Sequence, residues 1–345
     1  MKRPWKKSSK RDWFDWRWQM RNRIRTLPRL AWLLGVPVKN LAALRHVIER
    51  HPFLITPYYG SLMAEGESGD PLRRQCVPDA RELEHLPDDS DDPLGESMQS
   101  PVPGLIHRYP DRCLVLVTNR CATYCRHCNR RRLWKKPALS LSPGRIQTLV
   151  EYVASDRRIR EVILSGGDPL ILGDEVLDHL LKAFRSVPHV EVLRIGSRTP
   201  VVLPMRITAS LCRVLKRHRP LWFMTQFNHP RELTPESAGA CERILEAGVP
   251  VSNQSVLLRG INDSFETMRD LVHGLQRISV RPYYLFQCEP VKGTAHFRVD
   301  IPRGMDISEK LWETTAGLCL PRYVVDRPGS PGKVSLQRFP GLPVS

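Results

Sequence analysis

From residue 108 onward, short apolar runs, many of them β-branched, alternate with amphipathic stretches of helical length. Such repeats imply parallel strands joined by right-handed crossovers. They favour an α/β fold, with an open or partial (β/α)6 barrel as first choice and a doubly wound sheet as the alternative. The predicted strands are 113–118, 161–164, 190–195, 221–227, 249–255 and 280–286, and the predicted helices include 143–154, 175–187, 208–218 and 264–278.

Polar groups follow every predicted strand of this barrel. Because the active sites of such barrels gather at the C-terminal ends of the strands, one end of the barrel is predicted to carry the function. In strand order the groups are the cysteines of 121–128; Ser165, Gly166, Gly167 and Asp168; Ser197 and Arg198; Gln226 and Asn228; Asn253, Gln254 and Ser255; and Gln287 and Glu289.

Two regions precede the predicted barrel. Residues 1 to about 55 carry Trp, Leu and Ile at helical spacing among charges, which predicts helices. Residues 64–104 are rich in Asp, Glu, Pro, Gly and Ser and are predicted to be an exposed linker, with the acidic run 88–92 as a solvated face. We therefore divide the chain into an N-terminal helical region and linker (1–105), the barrel (106–300) and a C-terminal segment (301–345).

Composition and charge limit the class of protein. No run of about 18 or more apolar residues occurs, so no membrane span is predicted. The basic N-terminus lacks the apolar stretch of a secretory signal, and we expect a cytoplasmic protein. The net charge of +17 is spread along the chain and favours a solvated basic surface. Anionic ligands are the alternative, with phosphates and carboxylates ahead of nucleic acid.

Three of the nine cysteines lie close together, as Cys121, Cys125 and Cys128 in the spacing CxxxCxxC. An odd count with such a group does not fit a disulfide framework. Thiolates on one loop can bind three corners of an iron–sulfur cubane, and the absence of a fourth cysteine leaves one iron open. Zinc is the alternative, but it usually takes CxxC pairs with a fourth ligand. The spacing therefore favours an iron–sulfur cluster with chemistry at the open iron.

A second candidate cofactor site lies near the C-terminus, where segment 324–333 is rich in Gly and Pro and ends in Lys333. On composition alone this is an ordinary exposed loop. Lysine is nevertheless the residue that forms Schiff bases with pyridoxal phosphate (PLP). The PLP phosphate would need arginine partners, and Arg108 and Arg112 stand just before the first predicted strand.

The cysteine motif, followed by Ser165-Gly166-Gly167-Asp168 after the second strand, resembles the radical S-adenosylmethionine (SAM) superfamily. Longer motifs resemble the lysine 2,3-aminomutase family, and the resemblance runs from about residue 13 to residue 335. The motifs are CATYCRHCNRRR at 121–132, HRYPDR at 107–112 and DRPGSPGK at 326–333, supported by 16–23, 253–263 and 282–288.

The resemblance implies a radical SAM barrel with an N-terminal helical extension and a C-terminal segment that carries the PLP lysine on a loop. It implies three cofactors: a 4Fe–4S cluster, SAM and PLP. Their predicted binding residues are Cys121, Cys125 and Cys128 for the cluster; Ser165, Gly166, Gly167 and Asp168 for SAM; and Lys333, with Arg108 and Arg112, for PLP.

The resemblance also implies an isomerase that moves the α-amino group of L-lysine to Cβ, giving β-lysine. Arg130 would hold the substrate carboxylate, and Glu289 with Asp326 would hold the distal ammonium. The family usually has Asp where this chain has Glu289, and the extra methylene shortens the pocket. Arginine, ornithine or another basic amino acid therefore stands behind lysine. Two carboxylates still favour a cationic side chain, and members that act on glutamate lack this pair.

Other departures concern metal and assembly. Longer members continue into a tail with zinc-binding cysteines, and Ser264 stands where the partner zinc cysteine of the barrel is found. No zinc is therefore predicted, and a homo-oligomer is one option for assembly. Short members include the branch that makes (R)-β-lysine for elongation factor P. An electron donor such as flavodoxin or ferredoxin is expected.

Three other classes compete with this interpretation. A radical SAM enzyme acting on RNA or protein is suggested by the charge, but facing carboxylates would repel phosphates. A non-enzymatic electron carrier would have all four cluster ligands filled. A degenerate member that binds cofactors without turnover is disfavoured by the intact set of motifs.

Overall fold

The computed structural model describes Trp5 and residues 8–64, 69–326 and 332–336. Within these residues the chain forms one nine-stranded sheet whose strands lie side by side in sequence order. Strands β2 to β8 are parallel, and the edge strands β1 and β9 are antiparallel to their neighbours. The strands are β1 (Leu105–Tyr109), β2 (Arg112–Thr118), β3 (Glu161–Gly166), β4 (Val192–Gly196), β5 (Leu221–Thr225), β6 (Val251–Leu257), β7 (Arg281–Gln287), β8 (Arg322–Asp326) and β9 (Lys333–Ser335).

The predicted partial barrel is confirmed. Its six predicted strands are β2 to β7, and each end lies within two residues of its prediction. Strands β1, β8 and β9 were not predicted, and β8 adds a seventh parallel strand. The α-helices are α1 (Lys10–Phe14), α2 (Trp16–Arg21), α3 (Leu27–Leu34), α4 (Leu44–Arg50), α5 (Pro57–Ser61), α6 (Pro71–Arg74), α7 (Pro143–Ser155), α8 (Asp174–Arg185), α9 (Thr199–Val202), α10 (Ala209–Arg217), α11 (Pro235–Glu246), α12 (Phe265–Arg277) and α13 (Ile301–Thr314).

The two faces of the sheet are packed differently. On one face, side chains such as Leu193 and Ile195 of β4 are fully buried in the core shared with the crossover helices. On the other face, the alternate residues of β4 are only half-buried, and they include Arg194. A parallel sheet covered on both faces reads as a continuous apolar run. The alternation therefore indicates that the inside of the barrel is open and partly polar.

The prediction that 64–104 is an exposed linker is wrong in part: residues 83–88 are exposed, but two carboxylates of the segment are buried. The Glu82 side chain is fully buried against the guanidiniums of Arg126 and Arg131. Glu96 is only 5% exposed. Because both carboxylates pair with arginines of the cysteine loop or just beyond it, this segment packs against that loop.

The acidic run 88–92 is not merely solvated either. Asp88 pairs with Arg298 at 2.9 Å and Asp91 with Lys292 at 2.8 Å. Residues 65–68 of the predicted linker lie outside the described residues. These ion pairs join the run to the stretch that follows β7.

The N-terminal region holds helices α1 to α4 between residues 10 and 50. The stretch that follows them bonds to the barrel: Thr56 Oγ1 donates to the Val202 carbonyl at 2.6 Å, and the Tyr124 N–H donates to the Leu54 carbonyl at 2.9 Å. Across the described residues, no helix combines the length and apolar character needed to cross a membrane. The three-part division of the chain stays a prediction.

Candidate active site

One cavity of about 600 Å³ runs through the barrel, from the C-terminal ends of the strands down to Arg112 and Glu161 at their beginnings. Every residue that the sequence predicted to bind a cofactor or the substrate lines this cavity. These are Cys121, Cys125, Cys128, Ser165, Gly166, Gly167, Asp168, Arg108, Arg112, Arg130, Glu289, Asp326 and Lys333.

The cysteine loop leaves the end of β2 and is held in place by its backbone and its neighbours. The Asn119 side-chain amide donates to the carbonyls of Leu133, Lys136 and Pro137 at 2.9 to 3.1 Å. Arg23 Nη1 donates to the Cys121 carbonyl at 2.9 Å. These bonds span the loop at both ends and fix where its sulfurs lie.

The chemistry of the three thiols fits an iron–sulfur cluster. Burial, together with the neighbouring Cys125 thiolate, raises the pKa of Cys128 to about 11. Burial likewise raises the pKa of Cys121 well above its usual range. Three thiolates are stable this close together only when cations neutralise them, which iron would do.

The glycine turn after β3 lies directly against the backbone that leads into the cysteine loop. Gly166 has a φ of +122°, and a Cβ at Gly167 would clash with the carbonyl oxygen of Arg120. The Asp168 N–H donates to that same carbonyl at 2.8 Å. Only glycine allows this approach, which brings the turn beside Cys121.

The Asp168 carboxylate links the ends of two strands. It accepts hydrogen bonds from Ser197 Oγ at 2.7 Å and from the Arg198 N–H at 2.9 Å. In this structure it therefore braces the rim of the barrel, and a direct contact of Asp168 with SAM stays a prediction.

Lys333 begins β9 and faces Asp326 of β8 across the antiparallel pair. Its Nζ lies 3.2 Å from Asp326 Oδ2 and 3.2 Å from the Tyr109 hydroxyl. The rings of Tyr109, Phe286 and Tyr284 surround the ammonium, with centroids 5.1 to 6.0 Å from Nζ. Residues 327–331 of the predicted glycine-rich loop lie outside the described residues.

The two arginines predicted for the PLP phosphate lie near this lysine. Arg108 Nη1 is 2.6 Å from Asp326 Oδ1. The Arg112 guanidinium stacks over the Tyr109 ring at 3.8 Å. Asp326 thus contacts two cations, Arg108 and Lys333. Asp326 can therefore receive a substrate ammonium only when Arg108 and Lys333 have moved to other partners. For Arg108, a bound phosphate would be such a partner.

Arg130 is already paired, with a residue that sequence reasoning did not identify. Its Nε and Nη2 donate to the two carboxylate oxygens of Glu96 at 2.6 to 3.0 Å. Arg132 holds the same carboxylate from the other side at 2.8 Å. Among the described residues Arg130 Nη1 makes no hydrogen bond, and Arg130 lines the cavity. Nη1 is therefore the nitrogen open to a substrate carboxylate.

Glu289 is a buried carboxylate with unused bonding capacity. Its Oε2 has no hydrogen-bond partner among the described residues. Burial raises the pKa of Glu289 to about 7; a hydrogen bond from Asn129 opposes the rise, and the nearby Asp326 carboxylate adds to it. A buried oxygen of this kind needs a donor or a cation. The site therefore fits a ligand that brings an ammonium.

Comparisons with known proteins agree with this geometry. Residues 115–272 match the family model of the Radical SAM superfamily. The L-lysine 2,3-aminomutase of Clostridium subterminale is 47% identical over 322 residues, 93% of this chain and 77% of that protein. The L-lysine 2,3-aminomutase of Bacillus subtilis (strain 168) is 44% identical over 96% of this chain and 71% of that protein.

A glutamate enzyme is also similar. The glutamate 2,3-aminomutase of Clostridioides difficile (strain 630) is 40% identical over 94% of this chain and 77% of that protein. The predicted isomerase class is confirmed, and so are the predicted cofactors: the 4Fe–4S cluster, SAM and PLP. The chain belongs to the lysine 2,3-aminomutase family of radical SAM enzymes.

Proposed function

We propose that this enzyme moves the α-amino group of L-lysine to Cβ and gives β-lysine. The observation that carries the proposal is Glu289, a buried carboxylate whose Oε2 lacks a partner among the described residues, in the same cavity as Arg130 and Lys333. An amino acid with a cationic side chain supplies the missing partner. Glutamate would instead bring its side-chain carboxylate beside those of Glu289 and Asp326.

When bound, the cluster and SAM would supply the radical that takes a hydrogen atom from Cβ, and PLP would supply a π-system that stabilises the unpaired electron while the nitrogen moves from Cα to Cβ. The substrate is oriented at both ends by this chain. Arg130 Nη1 binds the carboxylate, while the bidentate contact with Glu96 holds the guanidinium still. Glu289 binds the distal ammonium. Fixing both ends of a flexible amino acid is what brings its reacting atoms together.

Lys333 would form the Schiff base with PLP, for which its Nζ must be neutral. Asp326 Oδ2 and the Tyr109 hydroxyl each lie 3.2 Å from Nζ and hold the amine in position. The rings of Tyr109, Tyr284 and Phe286 lie around this amine, and the Lys333 side chain is 25% exposed.

The direct test is anaerobic incubation of the reconstituted enzyme with SAM, PLP and dithionite. L-lysine, L-arginine, L-ornithine and L-glutamate are supplied separately, and each product is compared with the β-amino acid by chromatography. We expect β-lysine. Turnover of arginine or ornithine alone would move the assignment to another basic amino acid, whose longer or shorter side chain suits Glu289. Turnover of glutamate alone would overturn the proposal.

Replacing Glu289 with glutamine should raise the KM for lysine roughly 10- to 100-fold, because one charge-assisted hydrogen bond to a buried group is lost. The wild-type KM should also rise as the pH falls below about 7, since the pKa of Glu289 is about 7 and only the ionised carboxylate pairs with the ammonium. This rise should be absent from the variant. Steady-state kinetics between pH 6 and 9 measure both effects.

Glu313→Gln is the matched control, because Glu313 is exposed on α13 and distant in sequence from the cavity-lining residues. Its KM should match that of the wild type at each pH. An unchanged KM in Glu289→Gln would remove this residue from the substrate site.

We also propose the cellular setting. All nine cysteines are free thiols in the structure, and an iron–sulfur site of this kind suits a reducing compartment, so we place the enzyme in the cytoplasm. A small electron carrier of the flavodoxin or ferredoxin class would reduce the cluster. The product of the enzyme would serve either metabolism or the modification of elongation factor P. A homo-oligomer is the proposed assembly.

A further inference from the structure

Arg198 lies next to the cysteine loop although it is 73 residues away from Cys125 in sequence. It follows the end of β4 and is the N-cap of α9. Its side chain is only 7% exposed. Nη1 of this buried guanidinium lies 2.7 Å from Cys125 Sγ. The sequence indicated a lining residue here, without a role.

The direction of this contact is fixed by the rest of the guanidinium. Nη2 donates to Gln75 Oε1 at 2.5 Å and to Glu232 Oε1 at 2.7 Å. Nε donates to the Gln226 carbonyl at 3.2 Å. All three nitrogens of Arg198 are therefore engaged, and the planar group cannot turn away from the sulfur without breaking buried hydrogen bonds.

The partners of Arg198 are themselves fixed. Glu232 is buried and accepts hydrogen bonds from the Tyr59 hydroxyl at 2.7 Å and from the Asn228 N–H at 2.6 Å. The backbone N–H of Arg198 donates to Asp168 Oδ2 at 2.9 Å. The contact with Cys125 is thus supported from the N-terminal region, from the glycine turn and from the loop after β5.

Cys125 differs in this respect from the other two cysteines of its loop. Throughout the described ranges, neither Cys121 Sγ nor Cys128 Sγ receives a hydrogen bond from a charged side chain. A donor and a positive charge at one thiolate favour the more negative, reduced form of a bound cluster, and hydrogen bonds to the sulfurs are one determinant of cluster potential.

We infer that Arg198 raises the reduction potential of the cluster through its N–H contact with Cys125, and that Glu232 limits this effect by balancing the charge. Arg198 is a positioning residue: it acts on the thiolate and contacts neither the substrate nor the migrating group. The inference rests on the proposed role of Cys125 as a cluster ligand, and it does not depend on which amino acid the enzyme isomerises.

The test is a redox titration of the reconstituted, full-length protein, followed by the EPR signal of the reduced cluster, without amino acid. Arg198→Gln should shift the midpoint potential to a more negative value. Arg198→Lys keeps the positive charge but loses the planar, forked set of guanidinium donors. Its shift in midpoint potential should therefore be smaller than that of Arg198→Gln and of the same sign. Glu232→Gln removes the balancing charge and should shift the potential in the positive direction.

Arg194→Gln is the matched control. Arg194 also lines the cavity and also pairs with a glutamate, Glu161 at 2.5 Å, but among the described residues it makes no hydrogen bond to a cysteine. Its substitution should leave the potential unchanged. Iron and sulfide contents of each variant show whether the cluster is complete.

Opposite shifts in the arginine and glutamate variants would support the inference, because a loosened site that admits water would move both in one direction. An unchanged potential in Arg198→Gln, or shifts of the same sign in Arg198→Gln and Glu232→Gln, would overturn it. If Arg198→Gln takes up no cluster, Arg198→Lys and Glu232→Gln decide by the same criterion. Failure of the wild type to bind a cluster would contradict the cysteine assignment. Normal potentials without β-amino acid formation would instead contradict the proposed function.

Discussion

Replacing Lys333 with alanine is expected to abolish amino-group migration while the cluster remains bound. The variant loses the amine that lies 3.2 Å from both Asp326 Oδ2 and the Tyr109 hydroxyl. Removal of a covalent catalytic group costs on the order of 10³-fold or more in turnover. Chromatography of the product measures this loss, and the visible absorbance of protein-bound PLP should disappear with it.

Two variants make this result specific. Lys333→Arg keeps a cation beside Asp326 but cannot form a Schiff base, so it should be as inactive as Lys333→Ala. Lys292→Ala removes a lysine that pairs with Asp91 at the surface and should keep full activity and full PLP absorbance. Wild-type turnover by Lys333→Ala would show that PLP is held elsewhere.

The barrel could be predicted because its signal is local. Most central strands contain a short apolar run bounded by polar residues, and four of the helices between them, α7, α10, α11 and α12, begin at a Ser or Thr whose side chain caps the helix. The edge strands had no such signal. Leu105–Tyr109 contains His and Arg, and Lys333–Ser335 has only three residues. Their pairing is decided by the neighbouring strand and not by their own composition.

The location of the site could also be predicted, since the ends of parallel strands meet on one rim. The contacts within it could not. Arg130 and Glu96 are 34 residues apart, and the sequence around either residue does not predict that they pair. The polar composition of 64–104 predicted exposure, but Glu82 and Glu96 are buried because their arginine partners come from the cysteine loop and the residues just beyond it. Composition identifies a charged residue, but whether that residue is buried depends on partners that are distant in sequence.

Glu82 shows how a buried ion pair links the stability of the fold to pH. Burial alone would raise the pKa of Glu82, but the guanidiniums of Arg126 and Arg131 overcome it and hold this pKa below the usual range. The ionised Glu82 therefore contributes its full share to the free energy of unfolding above the pKa of an unfolded glutamate, about 4.3. This contribution is lost as the pH falls through the lower pKa that Glu82 has in the folded protein. Near neutral pH the ionised carboxylate pairs with two buried guanidiniums, one within the cysteine loop and one just beyond it.

Replacing Glu82 with glutamine should lower the free energy of unfolding by about 3 to 5 kcal/mol, because two guanidiniums are left buried without a counter-charge. Anaerobic urea denaturation measures this loss, and iron content should fall with it, since Arg126 and Arg131 flank Cys128. Glu84→Gln, at an exposed position two residues on, should change the free energy by less than about 0.5 kcal/mol. A loss below about 1 kcal/mol in Glu82→Gln would mean that the two arginines find other partners, and the buried pairing would then not be what holds the cysteine loop in place.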